Sequence, residues 1–445
     1  MSAHYLQHLF SPGSIALFGA SERPESVGAR VYLNLIQDKF SGKVYPINPK
    51  HKKIHGKRCY ASINAVTGPV DLAIIATPKS SIPEIIHACG EYGVRAVIIL
   101  SAGFNNENEN GPELLKAILE EASRYRMRIL GPNCLGLIRP GSHLNATFSK
   151  NTAQRGSLAL ISQSGALCTA IMDWAAPYEI GFSAIVSLGD AADIKFGDIL
   201  DYLALDPDTK SILIYVEGIR DSRSFMSSLR SAARLKPVVI MKVGRHAESA
   251  RAALTHTGSL VGADDVFDAA IRRAGVVRAQ TVEQLFAAAQ LLATTKHIPG
   301  DRLIIITNGG GPGIMATDRA IDCGIKLATL DESTIDRLNN ILPAYWSKSN
   351  PVDILGDATP KHYADAVSIC LQNKNIDGVL VILTPQAMTQ PEDAARAVIH
   401  ASQQYHKPVL TCWMGNQHVT SARELFIQHQ IPTFTTPETA VEAFG

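Results

Sequence analysis

Short β-branched runs, each followed by a segment with helical spacing, recur from one end of this chain to the other. They constrain its fold more than any other feature. Ser14-Ile15-Ala16-Leu17-Phe18, Leu72-Ala73-Ile74-Ile75-Ala76 and Ala96-Val97-Ile98-Ile99-Leu100 come first. Leu158-Ala159-Leu160-Ile161, Ile212-Leu213-Ile214-Tyr215-Val216 and Val238-Val239-Ile240-Met241 follow, then Leu303-Ile304-Ile305-Ile306 and Val379-Leu380-Val381-Ile382. Strands that read as continuous apolar runs are covered on both faces, which calls for helices above and below parallel sheets. The class is α/β. A chain of 445 residues has room for about two to four domains of roughly 100–200 residues each.

The pattern restarts three times. The first unit runs to Gly131-Pro132-Asn133, with a turn-rich connection through Pro140-Gly141. A second begins at Arg155-Gly156-Ser157, where a strand feeds into Ser162-Gln163-Ser164-Gly165. A third begins at Pro299-Gly300-Asp301-Arg302, with a strand feeding into Asn308-Gly309-Gly310-Gly311-Pro312-Gly313. The last two units open alike, so one distinct domain precedes two similar doubly wound ones, over 1–140, 150–295 and 299–445. At the C-terminus Thr436 reads as an N-cap with Pro437 at the first helical position. That helix stops after about two turns, and the assembly is expected to continue in a longer polypeptide or a partner subunit.

Bulk properties exclude several classes. Apolar residues make up 46% and charged residues 19%, an ordinary globular balance. A net charge of +1 gives no case for nucleic acid. The small cluster Lys50-His51-Lys52-Lys53 with Lys57-Arg58 reads as a solvated loop or a site for one phosphorylated ligand. The seven cysteines are scattered and form no CxxC pair, so neither a disulfide framework nor a metal site is expected, and most read as buried small hydrophobes. Met1-Ser2-Ala3-His4-Tyr5 has no basic start to a signal peptide, and no apolar run reaches about 18 residues. A cytoplasmic protein without a membrane span is expected.

Gly19-Ala20-Ser21 follows a strand and precedes a helix containing Val27-Gly28-Ala29, the place where a dinucleotide fold seats phosphates. Ser21 replaces the second glycine of the fingerprint. The second strand, Val44-Tyr45-Pro46-Ile47, ends in Asn48 and Lys50 in place of the acid that binds a ribose diol. Those two residues suit a phosphorylated ribose such as that of coenzyme A better than NAD. A tight turn with no ligand is the plainer alternative. Thr77-Pro78, Ser101-Ala102-Gly103 and Gly131-Pro132-Asn133-Cys134 end further strands and are expected to line the same groove. The candidate nucleotide contacts are therefore Gly19, Ala20, Ser21, Val27, Asn48, Lys50, Thr77, Pro78 and Asn133. Cys134 has no base beside it in sequence and reads poorly as a nucleophile.

The helix starts after Ser162-Gln163-Ser164-Gly165 and Asn308-Gly309-Gly310-Gly311 are suited to anions, because small residues leave backbone N–H groups open and the helix dipole adds roughly 0.3–1 kcal/mol. Between them in sequence lies His256, in Leu254-Thr255-His256-Thr257-Gly258-Ser259-Leu260. A neutral imidazole attacks phosphorus, and the phosphohistidine formed needs donors around its oxygens. A carboxylate on the other ring nitrogen fixes the tautomer; Glu217, just past a strand, is the candidate. A loop-capping histidine is the bland alternative.

Together these residues resemble the NDP-forming acyl-CoA synthetases, relatives of succinyl-CoA synthetase, over essentially the whole chain. The family's Ser-His-Thr-Gly is similar to Thr255-His256-Thr257-Gly258, its Gly-Pro-Asn-Cys to Gly131-Pro132-Asn133-Cys134, and its two phosphate-binding helix starts to Ser162-Gln163-Ser164-Gly165 and Asn308-Gly309-Gly310-Gly311. Glu217 resembles the glutamate partner of the phosphohistidine. The resemblance implies a Rossmann-like CoA-binding domain followed by two flavodoxin-like ligase domains. It implies an acid–thiol ligase that interconverts acyl-CoA, ADP and phosphate with acid, CoA and ATP, and it favours acetate as the acid. The family's ATP-grasp domain, which holds ADP or ATP with Mg, is not found in these residues. It is expected as a β subunit or a C-terminal continuation of an oligomer. The Asp173-Trp174 region and Leu188-Gly189-Asp190 resemble fusions that end in a GNAT-type acetyltransferase. In some of those the synthetase part acts as an acyl-CoA sensor with the histidine replaced, whereas His256 and Glu217 are both retained here.

Overall fold

The computed structural model describes residues 5–104, 110–246, 248–249, 263–294 and 300–445. His256 and its flanking loop, and Pro299 at the third restart, lie outside the described residues. The described chain divides into two compact units, one ending at Gln280 and one beginning at Thr281.

Among the described residues the first unit holds two large sheets and a two-stranded hairpin in which Lys53–Ile54 pairs antiparallel with Lys57–Arg58. The first comprises β1 (Ser14–Phe18), β2 (Lys43–Ile47), β3 (Leu72–Ile75), β4 (Ala96–Ile99) and β5 (Arg128–Leu130). All run parallel in the order β2-β1-β3-β4-β5. Every residue of β1, β3 and β4 is buried, as continuous apolar runs demand. The chain turns left of β1 to make β2 and right of it to make β3, so a crevice opens between the carboxyl ends of β1 and β3.

The second sheet contains β6 (Gly136–Arg139), β7 (Leu144–Thr147), β8 (Arg155–Ser162), β9 (Phe182–Ser187), β10 (Ser211–Val216), β11 (Val238–Lys242) and β12 (Val277–Ala279). Its order is β12-β11-β10-β8-β9-β6-β7, with β6 antiparallel to both β9 and β7 and the rest parallel. The segment read from sequence as a connection is thus a hairpin that extends this sheet. Its alternation is masked because β6 and β7 are buried throughout. One apolar core includes Leu17 and Ile98 of the first sheet with Ile161 and Ile214 of the second. Reversal of strand order falls here between β8 and β10.

The second unit has β13 (Arg302–Thr307), β14 (Lys326–Leu327), β15 (Val352–Asp353), β16 (Gly378–Leu383), β17 (Val409–Trp413) and β18 (Thr433–Phe434), all parallel. The order is β14-β13-β16-β17-β18, with β15 pairing the last two residues of β13. The reversal lies between β13 and β16. Helix Val282–Thr294 packs against helix Pro437–Phe444 of this unit, although the sequence segments place it with the middle domain. Thr436 caps the latter helix by accepting from the Thr439 amide. Doubly wound α/β architecture therefore occurs in all three large sheets, a Rossmann-like domain followed by two flavodoxin-like ones.

Candidate functional site

Each of the three strand-order reversals carries candidate residues. At the first, a groove of about 1100 Å³ lies over the carboxyl ends of β1 and β3 and the start of helix Val27–Gln37. Gly19, Ser21, Val27, Asn48, Lys50, Thr77 and Pro78 line it; Ala20 is fully buried beneath the turn. The turn is tight because Gly19 has φ +83° and because Gly28 brings the helix onto it: a Cβ at Gly28 would overlap the Gly19 carbonyl. Asn48 holds the turn from the other side. Its amide donates to the Ala20 carbonyl at 2.8 Å while its carbonyl accepts from the Lys50 N–H at 3.0 Å. Its side chain therefore shapes the groove more than it offers itself to a ligand. Arg23, whose N–H donates to the Ser21 hydroxyl at 3.0 Å, also lines the groove, as does Ser26, the N-cap of the helix. Sequence reading passed over both, although each stands within a few residues of the glycine turn. Apolar Phe18, Ile47 and Ile63 suit an adenine ring, and Arg23 and Lys50 bring two cations to a lining that also holds Glu25 and Glu84.

Asn133 is not among the groove's lining residues. Its amide donates to Asp190 at 3.1 Å, beside Gly189, on the path by which the chain passes from β5 to β6. Cys134 is buried, its thiol donating to the Ile99 carbonyl at 3.4 Å, and burial pushes the thiol far above its usual range. A thiolate nucleophile there is disfavoured. Of the seven cysteines only Cys323 is exposed.

At the second reversal, Ser162 ends β8 and its hydroxyl clasps the turn, donating to the Ser164 carbonyl at 2.9 Å and accepting from the Ser164 N–H at 3.0 Å. Ser164 then caps helix Gly165–Ala175 by accepting from the Leu167 N–H. Gln163 reaches the neighbouring strand end. Its carbonyl accepts from the Glu217 and Gly218 N–H groups at 2.6 and 3.0 Å, and its amide donates to the Gly218 carbonyl at 3.0 Å. Glu217 is 7% exposed. Burial raises the Tyr215 phenol to about 12, with the Glu217 charge adding to the shift, so Tyr215 stays neutral there. A pocket of about 20 Å³, room for about one water, adjoins Gln163 and Gly218 and includes Asp190, Lys195 and Arg220.

The third reversal repeats this arrangement. Thr307 clasps Gly309 with bonds of 2.9 and 3.1 Å, as Ser162 clasps Ser164. Asn308 holds the end of β16, accepting from the Thr384 N–H at 2.8 Å and donating to its carbonyl at 2.9 Å. Gly310 and Gly311 open helix Gly310–Asp322 and are exposed, with nothing near a Cβ at Gly311. The carboxylate of Asp353 stands 3.3 Å from where a Cβ at Gly310 would lie, so Gly311 is the more open of the two to an anion. Among the described residues no cluster of His, Cys, Asp and Glu could hold a metal, and no helix is long and apolar enough to cross a membrane.

Comparison with known proteins adds a second line of observation. A CoA binding domain model matches residues 13–140, a succinyl-CoA ligase like flavodoxin domain 155–292, and a Ligase-CoA domain 303–445. An ADP-forming acetate–CoA ligase I of Archaeoglobus fulgidus is 41% identical over 99% of this chain, which spans 63% of that relative's length. The alpha subunit of ADP-forming acetate–CoA ligase II of Pyrococcus furiosus is 38% identical, with 98% of this chain and 96% of that subunit covered. Among solved structures, the dinucleotide forming acetyl-coenzyme A synthetase 1 of Ca. Korarchaeum cryptofilum, in complex with phosphate and ADP, superposes with a TM-score of 0.94 at 36% identity, covering 99% of this chain and 95% of that one.

Proposed function

Since the chain belongs to the ADP-forming acetate–CoA ligase family, we propose that it is the acyl-CoA-handling and phosphoryl-carrying portion of an acid–thiol ligase of that kind. The observation that carries this is the match to an alpha subunit along nearly the whole length of both chains. Segments 1–140, 150–295 and 299–445 act as the CoA-binding domain, the domain with the phosphohistidine loop, and the second ligase domain. The groove at Gly19-Ala20-Ser21 takes coenzyme A or acetyl-CoA, with Val27, Thr77 and Pro78 as its walls and Arg23 and Lys50 as its cations.

The chemistry proceeds in three displacements. Phosphate oxygen attacks the thioester carbonyl, the C–S bond breaks, and acyl phosphate and CoA thiolate result. A neutral His256 nitrogen then attacks the phosphorus of the acyl phosphate, and the P–O bond to the acyl group breaks to release the carboxylate. Last, a terminal oxygen of ADP takes the phosphoryl group from His256, giving ATP and the free imidazole. Glu217 holds the other ring nitrogen through the cationic stage, and the helix starts at Ser164-Gly165 and Gly310-Gly311 hold the oxygens of the anions in transit. ADP and ATP with Mg belong to a separate ATP-grasp domain, as a β subunit or a continuation of the polypeptide. The acid is acetate, the oligomer includes both parts, and the compartment is the cytoplasm.

Labelling tests this directly. With a matching ATP-grasp partner and ATP labelled in the terminal phosphate, an acid-labile, base-stable label forms on this chain and is absent from His256→Ala. Label that persists in the variant removes His256 from the mechanism. An acyl-CoA-sensing region fused to a GNAT-type lysine acetyltransferase, in contrast, binds acetyl-CoA and takes no label even with the histidine intact.

A further inference from the structure

Gln163 stands at an anion-binding helix start, yet its side chain faces a different task. An amide has one oxygen with two lone pairs and two N–H donors. Both lone pairs are engaged by the N–H groups of Glu217 and Gly218, and one donor goes to the Gly218 carbonyl. Its own backbone N–H donates to the Tyr215 carbonyl at 3.3 Å. Main chain and side chain together carry the pairing of β8 with β10 past the end of the ladder, over the two residues that leave the sheet. Without the amide, the N–H groups of Glu217 and Gly218 would lose the Gln163 oxygen as acceptor at a buried position, and the loop would have to turn to satisfy them.

Asn308 does the same for Thr384 at the corresponding reversal of the third sheet, with a side chain one carbon shorter. The repetition argues that the clamp is a built feature of these turns. What it holds differs: a carboxylate residue in one sheet, and in the other a threonine whose hydroxyl donates back to the clamp at 3.1 Å.

We infer that Gln163 is a positioning residue, which fixes the backbone of Glu217 and so the place of that carboxylate at the carboxyl end of the second sheet, and is not itself a phosphate ligand. The inference rests on the proposal that Glu217 partners a phosphorylated histidine.

A double-mutant cycle in the complete enzyme, this chain with its ATP-grasp partner, tests it. ATP formation from acetyl-CoA, phosphate and ADP is followed in Gln163→Met, Glu217→Gln and the double variant. Gln163→Met is expected to lower kcat about 10- to 100-fold, the cost of misplacing a reacting group by about 1 Å. The KM values for acetyl-CoA and phosphate stay within about twofold, since no binding contact is removed. In the Glu217→Gln background the same substitution has no further effect on kcat, because the clamp then holds nothing that acts. Losses that multiply, or a phosphate KM that rises while kcat holds, overturn the positioning role. Full activity of Glu217→Gln alone sinks the underlying reading of Glu217 and the inference with it. A large effect of Glu217→Gln with multiplying losses sinks the clamp only. If Gln163→Met melts early, Gln163→Asn, whose amide is too short to span both N–H groups, serves in the same cycle with the same outcomes.

Discussion

A methyl group on Gly28 would overlap the carbonyl oxygen of Gly19, backbone against backbone, where neither side can swing away. Helix Val27–Gln37 would have to lift from the turn it covers, and the Ser26 cap would move with it. Gly28→Ala is therefore expected to destabilise the first unit by about 1–3 kcal/mol, the usual cost of forcing a carbon into a packed site. Urea unfolding measures this, and titration calorimetry with CoA should show weakened binding even where the fold survives. Unchanged stability together with unchanged CoA affinity would refute the close-approach argument. At this scale the sequence showed which turn mattered and showed less well what its residues do. Asn48 reads as a ribose contact from its position at the end of β2, but both ends of its side chain engage local backbone at 2.8 and 3.0 Å. A polar residue beside a glycine turn has the same one-letter signature whether it binds a ligand or braces the turn. Only the direction of its side chain distinguishes the two.

Between elements, the likeness of the second and third domains was legible as two strand–turn–helix openings. The alignment of Ser162 with Thr307 and of Gln163 with Asn308 was not, since the partners of those amides lie 54 and 76 positions further on. Long-range pairing of this kind leaves no local periodicity. A comparable tie joins the end of β11 to helix Asp264–Arg273 and β12. Asp264 takes two hydrogen bonds from Arg278, at 2.6 and 2.7 Å, and one from Lys242 at 3.2 Å. Burial opposes ionisation of this carboxyl, but the bonds and charges of Arg278 and Lys242 outweigh it and hold the group below its usual range. A depressed acid contributes stability that is fully present above its unfolded value of about 3.9 and is lost as pH falls through the lower folded value. Lys242 is 5% exposed, so Asp264→Asn leaves a buried cation short of its partner, at a cost of about 3 kcal/mol near neutral pH. The difference in unfolding free energy between wild type and variant should be constant from about pH 7 to 5 and shrink below about pH 4. A difference that stays level down to pH 2 would mean the carboxyl's ionisation contributes nothing.

For the whole molecule, the sequence rhythm marks three restarts while the packing makes two units, and the discrepancy has a physical origin. The first two sheets share an apolar core, and the hairpin β6–β7, which follows directly on the first sheet, pairs its strands into the second while Asn34 and Asp38 tie β7 back to the first by side-chain hydrogen bonds at Thr147 and Asn145. Apolar runs announce strands but do not say which sheet a strand joins. Helix Val282–Thr294 makes the same point at the other boundary. Ala287 belongs to the apolar core beneath β13 and β16, Gln290 donates to the Thr433 carbonyl at 3.0 Å, and Gln284 donates to Glu442 at 3.0 Å. A fragment that starts at Thr281 keeps this helix, whereas one that starts at 300, which leaves β13 and the Arg302–Asp377 ion pair intact, exposes the face it covers and leaves the Thr433 carbonyl without its Gln290 donor. Losing one buried hydrogen bond and the apolar contacts of Ala287 and Leu291 amounts to about 2 kcal/mol. In a fragment of this size that lowers the melting temperature by about 5 °C or more. Calorimetry on the two fragments should show a single cooperative transition for 281–445 and an earlier, broader one for 300–445. Equal melting temperatures would instead assign the helix to the first unit, and the boundary with it. The first unit makes the converse case. A fragment of residues 1–140 retains β6 without β7, β8 or β9, so it leaves an unpaired buried strand and half of a shared core exposed, the two conditions for aggregation. Residues 1–280 keep β6 paired with both β7 and β9 and should remain monodisperse under the same conditions.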